Sequence, residues 1–363
     1  MKKVLFIGSF KDSTKDGGVG GQMYACKTII DSRLSESINW VLVDSTSDFI
    51  SNESILNRIL KATKRFSECL FHILFSNINY VLAFSGAGAS FIEKGAIILV
   101  SHFLGKKTII APRAGLLKDQ FEESKWFKRY ITYVFLKADN IICQSNFWKN
   151  SFQQLLPSNY NDKFVVINNA ININLYPKVG VSSEKKGKVN ILFLGWVIKD
   201  KGIFELIDAA KIVVAKEKGV KFVIAGKGEH FKQAQDKVIA YELTDYFDFR
   251  GWVLKEEKKQ LIQETDIFVL PTYTEGLSNS LIEAMASGLP CITTNVTSMP
   301  DIITNENLGI LVENKNVIQL SDAILDLVKN RNKRVAIGEN ARLHITTNFT
   351  TEKVVEAFTN IFI

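Results

Sequence analysis

The sequence predicts an α/β protein made of two doubly wound, Rossmann-like domains facing each other across a cleft. Apolar runs of strand length alternate with helical stretches in both halves, the pattern of parallel sheets wrapped by helices. The length of 363 residues leaves room for two domains, each able to bury a core. A polar, charged stretch holding Gly and Pro, residues 176–188, separates the two sets and reads as the linker. Sheets of this kind bind ligands beyond the carboxyl ends of their strands, so the cleft is where a site is expected.

In the first half, strands are expected at 3–8, 40–43, 80–84, 108–111, 140–143 and 164–167. The first of them is too short, and turns too soon into Gly, Ser and Lys, to be a signal peptide. Gly17-Gly18-Val19-Gly20-Gly21 follows it and precedes an apparent helix at 22–30. Glycines there let the backbone approach a ligand. A dinucleotide fingerprint would need its third glycine at Met23, so that motif is incomplete. Arg58, Lys61, Lys64 and Arg65 share a helical face beside apolar residues, which suits either a solvated face over the core or a surface lying on an anionic membrane. The most apolar region, 80–111, is interrupted by Glu93, Lys94, His102, Lys106 and Lys107, so no transmembrane helix is expected. Arg113 follows the strand at 108–111; it is always protonated and suits a phosphate or carboxylate clamp, or a structural salt bridge.

In the second half, strands are expected at 190–194, 221–225, 247–250, 266–270 and 291–293. Gly195-Trp196 and Lys201-Gly202 follow the first of these, Gly226-Lys227-Gly228 the second, and Trp252-Val253 the third. The most informative segment follows the fourth: Glu275-Gly276-Leu277-Ser278-Asn279-Ser280, then a helix through Glu283 that stops at Gly288 with Pro290 beyond. Amides at such a helix start suit a phosphate. The carboxylates of Glu275 and Glu283 bracket that anion site, and each can accept hydrogen bonds from two neighbouring hydroxyls of a sugar. The spacing of Ser280 and Glu283 is also that of a capping box, in which Glu283 would only close its own helix start.

Composition is ordinary for a globular protein, with 46% apolar and 23% charged residues. Cys26, Cys69, Cys143 and Cys291 are scattered and read as reduced core thiols of a cytosolic protein. The four histidines form no ligand pattern, so no metal site is expected. Residues 1–180 hold 22 lysines and arginines against 14 acids, whereas the remainder holds 23 against 24. An acidic partner would therefore approach the first half: a phosphate-bearing acceptor or an anionic membrane. Nucleic acid is disfavoured because the basic residues are diffuse and not interleaved with aromatics.

The segment from Pro271 to Pro290 resembles the signature of the retaining, GT-B-fold glycosyltransferases that include sucrose, glycogen, mannosyl and lipopolysaccharide-type transferases. The resemblance implies an acceptor-binding domain over 1–178, a nucleotide-sugar-binding domain over 186–349, and a last helix, 350–363, that crosses back to the first. It implies that Glu275 holds hydroxyls of the donor sugar, that Glu283 holds the ribose diol, and that the amides of Leu277, Ser278 and Asn279 meet the diphosphate, with Gly276 also in the donor site. Gly18 and Gly20 match the family's glycine-rich loop, and Lys201 its diphosphate lysine beside Gly195. Gly226 and Gly228 match the loop near diphosphate and base, and Trp252 and Val253 the element along the nucleobase edge.

Two positions depart from the family pattern. Trp196 stands where an arginine is usual, and Arg113 where many relatives have a histidine near the sugar. The implied catalytic set is Glu275, Lys201 and Arg113. The implied reaction uses a nucleoside-diphosphate sugar, UDP by default, and a glycan or lipid-linked acceptor, at the cytoplasmic membrane face, with no other cofactor and no metal. An epimerase of the same fold and an inactive sugar-nucleotide-binding partner subunit remain alternatives.

Overall fold

The computed structural model of the protein describes residues 1–11, 21–46, 54–179 and 187–362. The chain divides into two compact units, Met1–Ala170 with Thr351–Ile363, and Ile171–Thr350. The first boundary falls ahead of residues 176–188 because Ile171 and Tyr176 are buried in the core of the second unit.

The first unit is built on six strands: β1 (Lys2–Gly8), β2 (Ile38–Asp44), β3 (Tyr80–Ser85), β4 (Lys107–Pro112), β5 (Asn140–Cys143) and β6 (Phe164–Val166). They lie parallel in the order β2-β1-β3-β4-β5-β6. A parallel sheet is covered on both faces, and its central strands are apolar throughout rather than alternating. In β1, Leu5 and Ile7 enter one core, with Cys69, Ile73, Phe91, Ile97 and Phe135 from the helices Ile55–Phe75, Ala89–Phe103 and Lys125–Lys137. Val4 and Phe6 enter the opposite core, with Ala25 and Ile29 from the helix Gly21–Ile30. The last helix, Thr351–Phe362, closes that second face: Phe358 and Phe362 are fully buried, and the Phe362 ring meets Trp40 and Tyr80 edge-on at 5.9 and 5.2 Å.

The second unit repeats the design with β7 (Val189–Leu194), β8 (Val220–Ala225), β9 (Phe247–Gly251), β10 (Ile267–Leu270), β11 (Cys291–Thr294) and β12 (Ile310–Val312). All are parallel, in the order β12-β11-β10-β7-β8-β9. The strands expected from the sequence all form. The structure adds β12, which was not expected. The chain lays β8 and β9 to one side of β7, then crosses back to lay β10, β11 and β12 on the other. The loops after β7 and β10 therefore part from adjacent strands where the order reverses, which is the ligand position of this topology.

All four cysteines are unpaired and buried. Burial pushes the thiols of Cys26, Cys69 and Cys143 up to about 12 and raises that of Cys291 well above its ordinary value. The thiolate is the reactive form, so a thiol reagent at mildly alkaline pH should leave all four untouched in the native protein and label all four in denaturant. Rapid native labelling of any of them would contradict the described packing.

Candidate functional site

The loops that leave the carboxyl ends of β7, β8 and β10 press on each other backbone to backbone. The N–H of Gly195 donates to the Ala225 carbonyl at 3.0 Å, that of Val197 to Lys227 at 3.0 Å, and that of Tyr273 to Asp200 at 2.8 Å. A Cβ at Gly226 would lie 1.8 Å from the Gly195 carbonyl oxygen, and one at Gly228 2.3 Å from that of Val197. Gly226 and Gly228 thus need no ligand to explain them, since the neighbouring loop leaves no room for a side chain. Gly202 has φ +72°, and a Cβ there would lie 2.0 Å from the Pro271 carbonyl oxygen. That contact ties the loop after β7 to the loop after β10.

Lys201 precedes Gly202 in the short turn Lys199–Lys201, and Glu275 lies in the loop after β10. Across the reversal point Lys201 Nζ stands 2.5 Å from Glu275 Oε1, with the two side chains 19% and 12% exposed. The loop carrying Glu275 is held in place. Its own N–H donates to Thr297 Oγ1 at 3.1 Å, and the Tyr273 hydroxyl donates to Glu205 Oε1 at 2.6 Å.

Helix Asn279–Ala286 begins four residues after Glu275. Its cap is Ser278, whose Oγ accepts from the Leu281 N–H at 3.3 Å. The residue three beyond the cap is therefore Leu281, and the capping box of Ser280 with Glu283 does not form. Glu283 is instead buried within the helix and receives Lys258 Nζ at 2.7 Å, from the helix Lys255–Glu264. A carboxylate so enclosed requires a partner. Lys258 was not legible beforehand: it sits in a Lys/Glu-rich run that reads as a solvated face. Thr297 carried no signal either.

Trp196 and Trp252 meet at the same end of the sheet, at the exits of β7 and β9, with ring centroids 4.9 Å apart and planes tilted by 49°. Both are half-buried, and Val253 packs beside them against the core. Gly276 and Leu277 are buried between Glu275 and the helix cap, and Asn279 is half-buried at the first helical position. The second unit therefore gathers a lysine, two carboxylates, a helix start and an indole pair around one strand-order reversal. Partial positive charge at that helix start and the Lys201 ammonium favour an anion between the two acids.

Arg113 follows β4 in the first unit. Its N–H donates to the Ser85 carbonyl at 2.8 Å, its Nη1 donates to Asn169 Oδ1 at 2.8 Å, and the guanidinium lies 4.0 Å above the Phe84 ring. It makes no salt bridge among the described residues, so the structural ion pair is not what holds it. Its Nε is enclosed without a hydrogen-bond partner, and burial lowers its pKa to about 10. Gly18 and Gly20 lie outside the described residues. Among the described residues no group of three or more His, Cys, Asp and Glu is placed to hold a metal ion.

Residues 178–344 match the family model of glycosyl transferases group 1. An uncharacterized glycosyltransferase of Methanocaldococcus jannaschii is 26% identical over 79% of this chain and 81% of its own length. The capsular polysaccharide biosynthesis glycosyltransferase CapM of Staphylococcus aureus is 29% identical over 47% of this chain, a stretch that spans only 44% of CapM. Sucrose-phosphate synthase from Thermosynechococcus elongatus superposes with a TM-score of 0.79 at 14% identity, covering 100% of this chain and 98% of its own. HepE of Anabaena, in complex with UDP and glucose, superposes with a TM-score of 0.77 at 16% identity, covering 99% of each. The match at 178–344 makes that stretch similar to the glycosyl transferases group 1, and the structural likenesses, which extend over both units, show the GT-B fold.

Proposed function

We propose that the protein moves a sugar from a nucleoside-diphosphate sugar, UDP-sugar by default, to a glycan or lipid-linked glycan acceptor with retention at the anomeric carbon, in the assembly of a bacterial-type surface polysaccharide. The observation that carries this reading is the Lys201–Glu275 pair at the strand-order reversal, beside the helix start at Ser278. A diphosphate entering there gives Lys201 a new anionic partner and frees Glu275 to accept hydrogen bonds from sugar hydroxyls. The ammonium and the helix start neutralise charge on the departing diphosphate. The bond from the anomeric carbon to the phosphate oxygen breaks, the acceptor oxygen bonds to that carbon on the same face, and its proton passes to the departing oxygen. These groups supply the charge without a metal. Glu283 holds the ribose diol, exchanging Lys258 for the two hydroxyls, and the indole pair lines the base side. Arg113, with its unpaired Nε, offers a cation to the acceptor or donor. The UDP and glucose bound by the HepE neighbour and the surface-polysaccharide role in CapM's name support the donor and the pathway class.

Replacing Glu283 by alanine tests the reading. Because Glu283 is not part of a capping box and Lys258 is 27% exposed and can rehydrate, the variant should lose only about 1 kcal/mol of stability. Its UDP dissociation constant, measured by calorimetry, should rise at least about 10-fold, the cost of a lost charged hydrogen-bonding group. An unchanged constant would remove Glu283 from the site.

A further inference from the structure

The chain turns sharply just after β11. The Met299 N–H donates to the Val296 carbonyl at 3.0 Å, closing a turn whose central residues are Thr297 and Ser298. Thr297 takes φ +43° and Ser298 φ −82°. A left-handed first central residue is ordinarily glycine, which meets no steric cost there. Asn77, Glu242, Thr297 and Lys315 are the non-glycine residues with positive φ among those described, and Thr297 is the β-branched one. A β-branched side chain in that region is strained, and such strain persists where the surroundings impose it. Ser298 and Met299, next in the chain, are fully buried and pin the turn.

What threonine adds over glycine is a hydroxyl, and that hydroxyl is in use. Thr293, Thr294 and Thr297 reach from β11 and its exit to the end of β10 and the loop that follows it. Thr293 Oγ1 donates to the Leu270 carbonyl at 2.7 Å, and Thr294 Oγ1 donates to that of Thr272. Thr297 Oγ1 accepts the Glu275 N–H at 3.1 Å. The Thr272 hydroxyl is shared between the carbonyls of Asp200 and Thr274, each at 3.1 Å, and Asp200 is the residue before Lys201. The first two threonines fasten the end of β10 and the start of the loop. Thr297 fastens the residue whose carboxylate meets Lys201 Nζ.

We propose that Thr297 is a positioning residue for the transfer: its backbone bears the strain of a glycine position so that its hydroxyl can set the Glu275 carboxylate opposite Lys201. The inference rests on the reading of Glu275 as the acid that holds donor-sugar hydroxyls. A carboxylate on a loop moves with the peptide that carries it, and a displacement of about 1 Å at such a group can cost on the order of 100-fold in rate. The partner of the hydroxyl is the Glu275 amide and not a group assigned to the nucleotide. Its loss should therefore show in turnover rather than in affinity for UDP. Glycine at 297 would relieve the backbone and lose the anchor. Valine would keep the strain and lose the anchor, and serine would keep the anchor. The three substitutions separate conformation from contact.

The test compares Thr297→Gly, Thr297→Val and Thr297→Ser in the full chain. Thr297→Gly should lower kcat about 10-fold or more. Its melting temperature should hold, because relief of the left-handed strain offsets the greater freedom of glycine in the unfolded chain. Thr297→Val should lose as much kcat and also melt lower, and Thr297→Ser should restore most of the rate. The UDP dissociation constant should stay at the wild-type value in all three. A second measurement needs no donor: exchange of the Glu275 amide hydrogen, followed by NMR, should be about 10-fold faster in Thr297→Gly and Thr297→Val and unchanged in Thr297→Ser. Unchanged exchange in Thr297→Gly would overturn the proposal, as would a rate in Thr297→Ser as low as in Thr297→Gly. A wild-type protein that releases UDP from no sugar donor would sink the underlying reading and this inference with it. An active wild type beside an equally active Thr297→Gly would sink this inference alone.

Discussion

Exchanging Glu275 for glutamine should slow UDP release from UDP-sugar and acceptor by at least about 100-fold, the scale of removing one preorganised charge from a reacting site. The substitution keeps the shape of the side chain and its hydrogen bond to Lys201, so the protein should melt close to the wild-type temperature. It also leaves the Lys201 ammonium without its carboxylate at 2.5 Å. With that competitor gone, the affinity for UDP alone should hold or rise while turnover falls. A general loosening of the loop would lower both together. Wild-type turnover in the folded variant would take Glu275 out of the mechanism.

Introducing alanine at Gly202 should be the most damaging change to the scaffold of the second unit. The added Cβ would stand 2.0 Å from the Pro271 carbonyl oxygen, which is backbone and has no rotamer to yield. The residue also holds φ +72°, which an L side chain adopts at a cost of roughly 1–2 kcal/mol. With overpacking of about 1–3 kcal/mol added, the loss should total about 3 kcal/mol, lowering the melting temperature of that unit by roughly 6–12 °C. Whatever fraction stays folded should also turn over slowly, since the shift parts the loop of Lys201 from the loop of Glu275. A wild-type melting curve would show that the two loops do not meet as described. The thiol-labelling experiment and this one probe different parts of the same packing, one in both sheets and the other at a single loop contact.

Strands were the legible part of this chain because a sheet buried on both faces writes itself as uninterrupted apolar runs, as Val4 to Ile7 and Ile267 to Leu270 do. β12 went unread although β6, no longer than it, was picked out. Lys201 was singled out by the family resemblance and Glu275 by its place before a helix start, yet their meeting depends on β7 and β10 being neighbours, a property of strand order that no local window holds. Lys258 failed to stand out for the same reason in reverse: its partner is distant in sequence and its own surroundings are uniformly charged. Gly226 and Gly228 were visible as glycines, but their cause was not. The structure shows the carbonyls of Gly195 and Val197 standing where their side chains would be. The capping box was a true spacing with the wrong phase, because Ser278 rather than Ser280 takes the cap.

Synthesis of this chain has to respect a detail of its weave. Phe358 and Phe362, which seal Trp40 and Tyr80, leave the ribosome only after every residue of the second unit has been made. The carboxyl-terminal unit can therefore complete its interior first, while the amino-terminal one waits with an open flank of aromatic side chains. A fragment ending at residue 170 would wait indefinitely, and its stickiness would come from that missing seal rather than from any flaw in its own six strands.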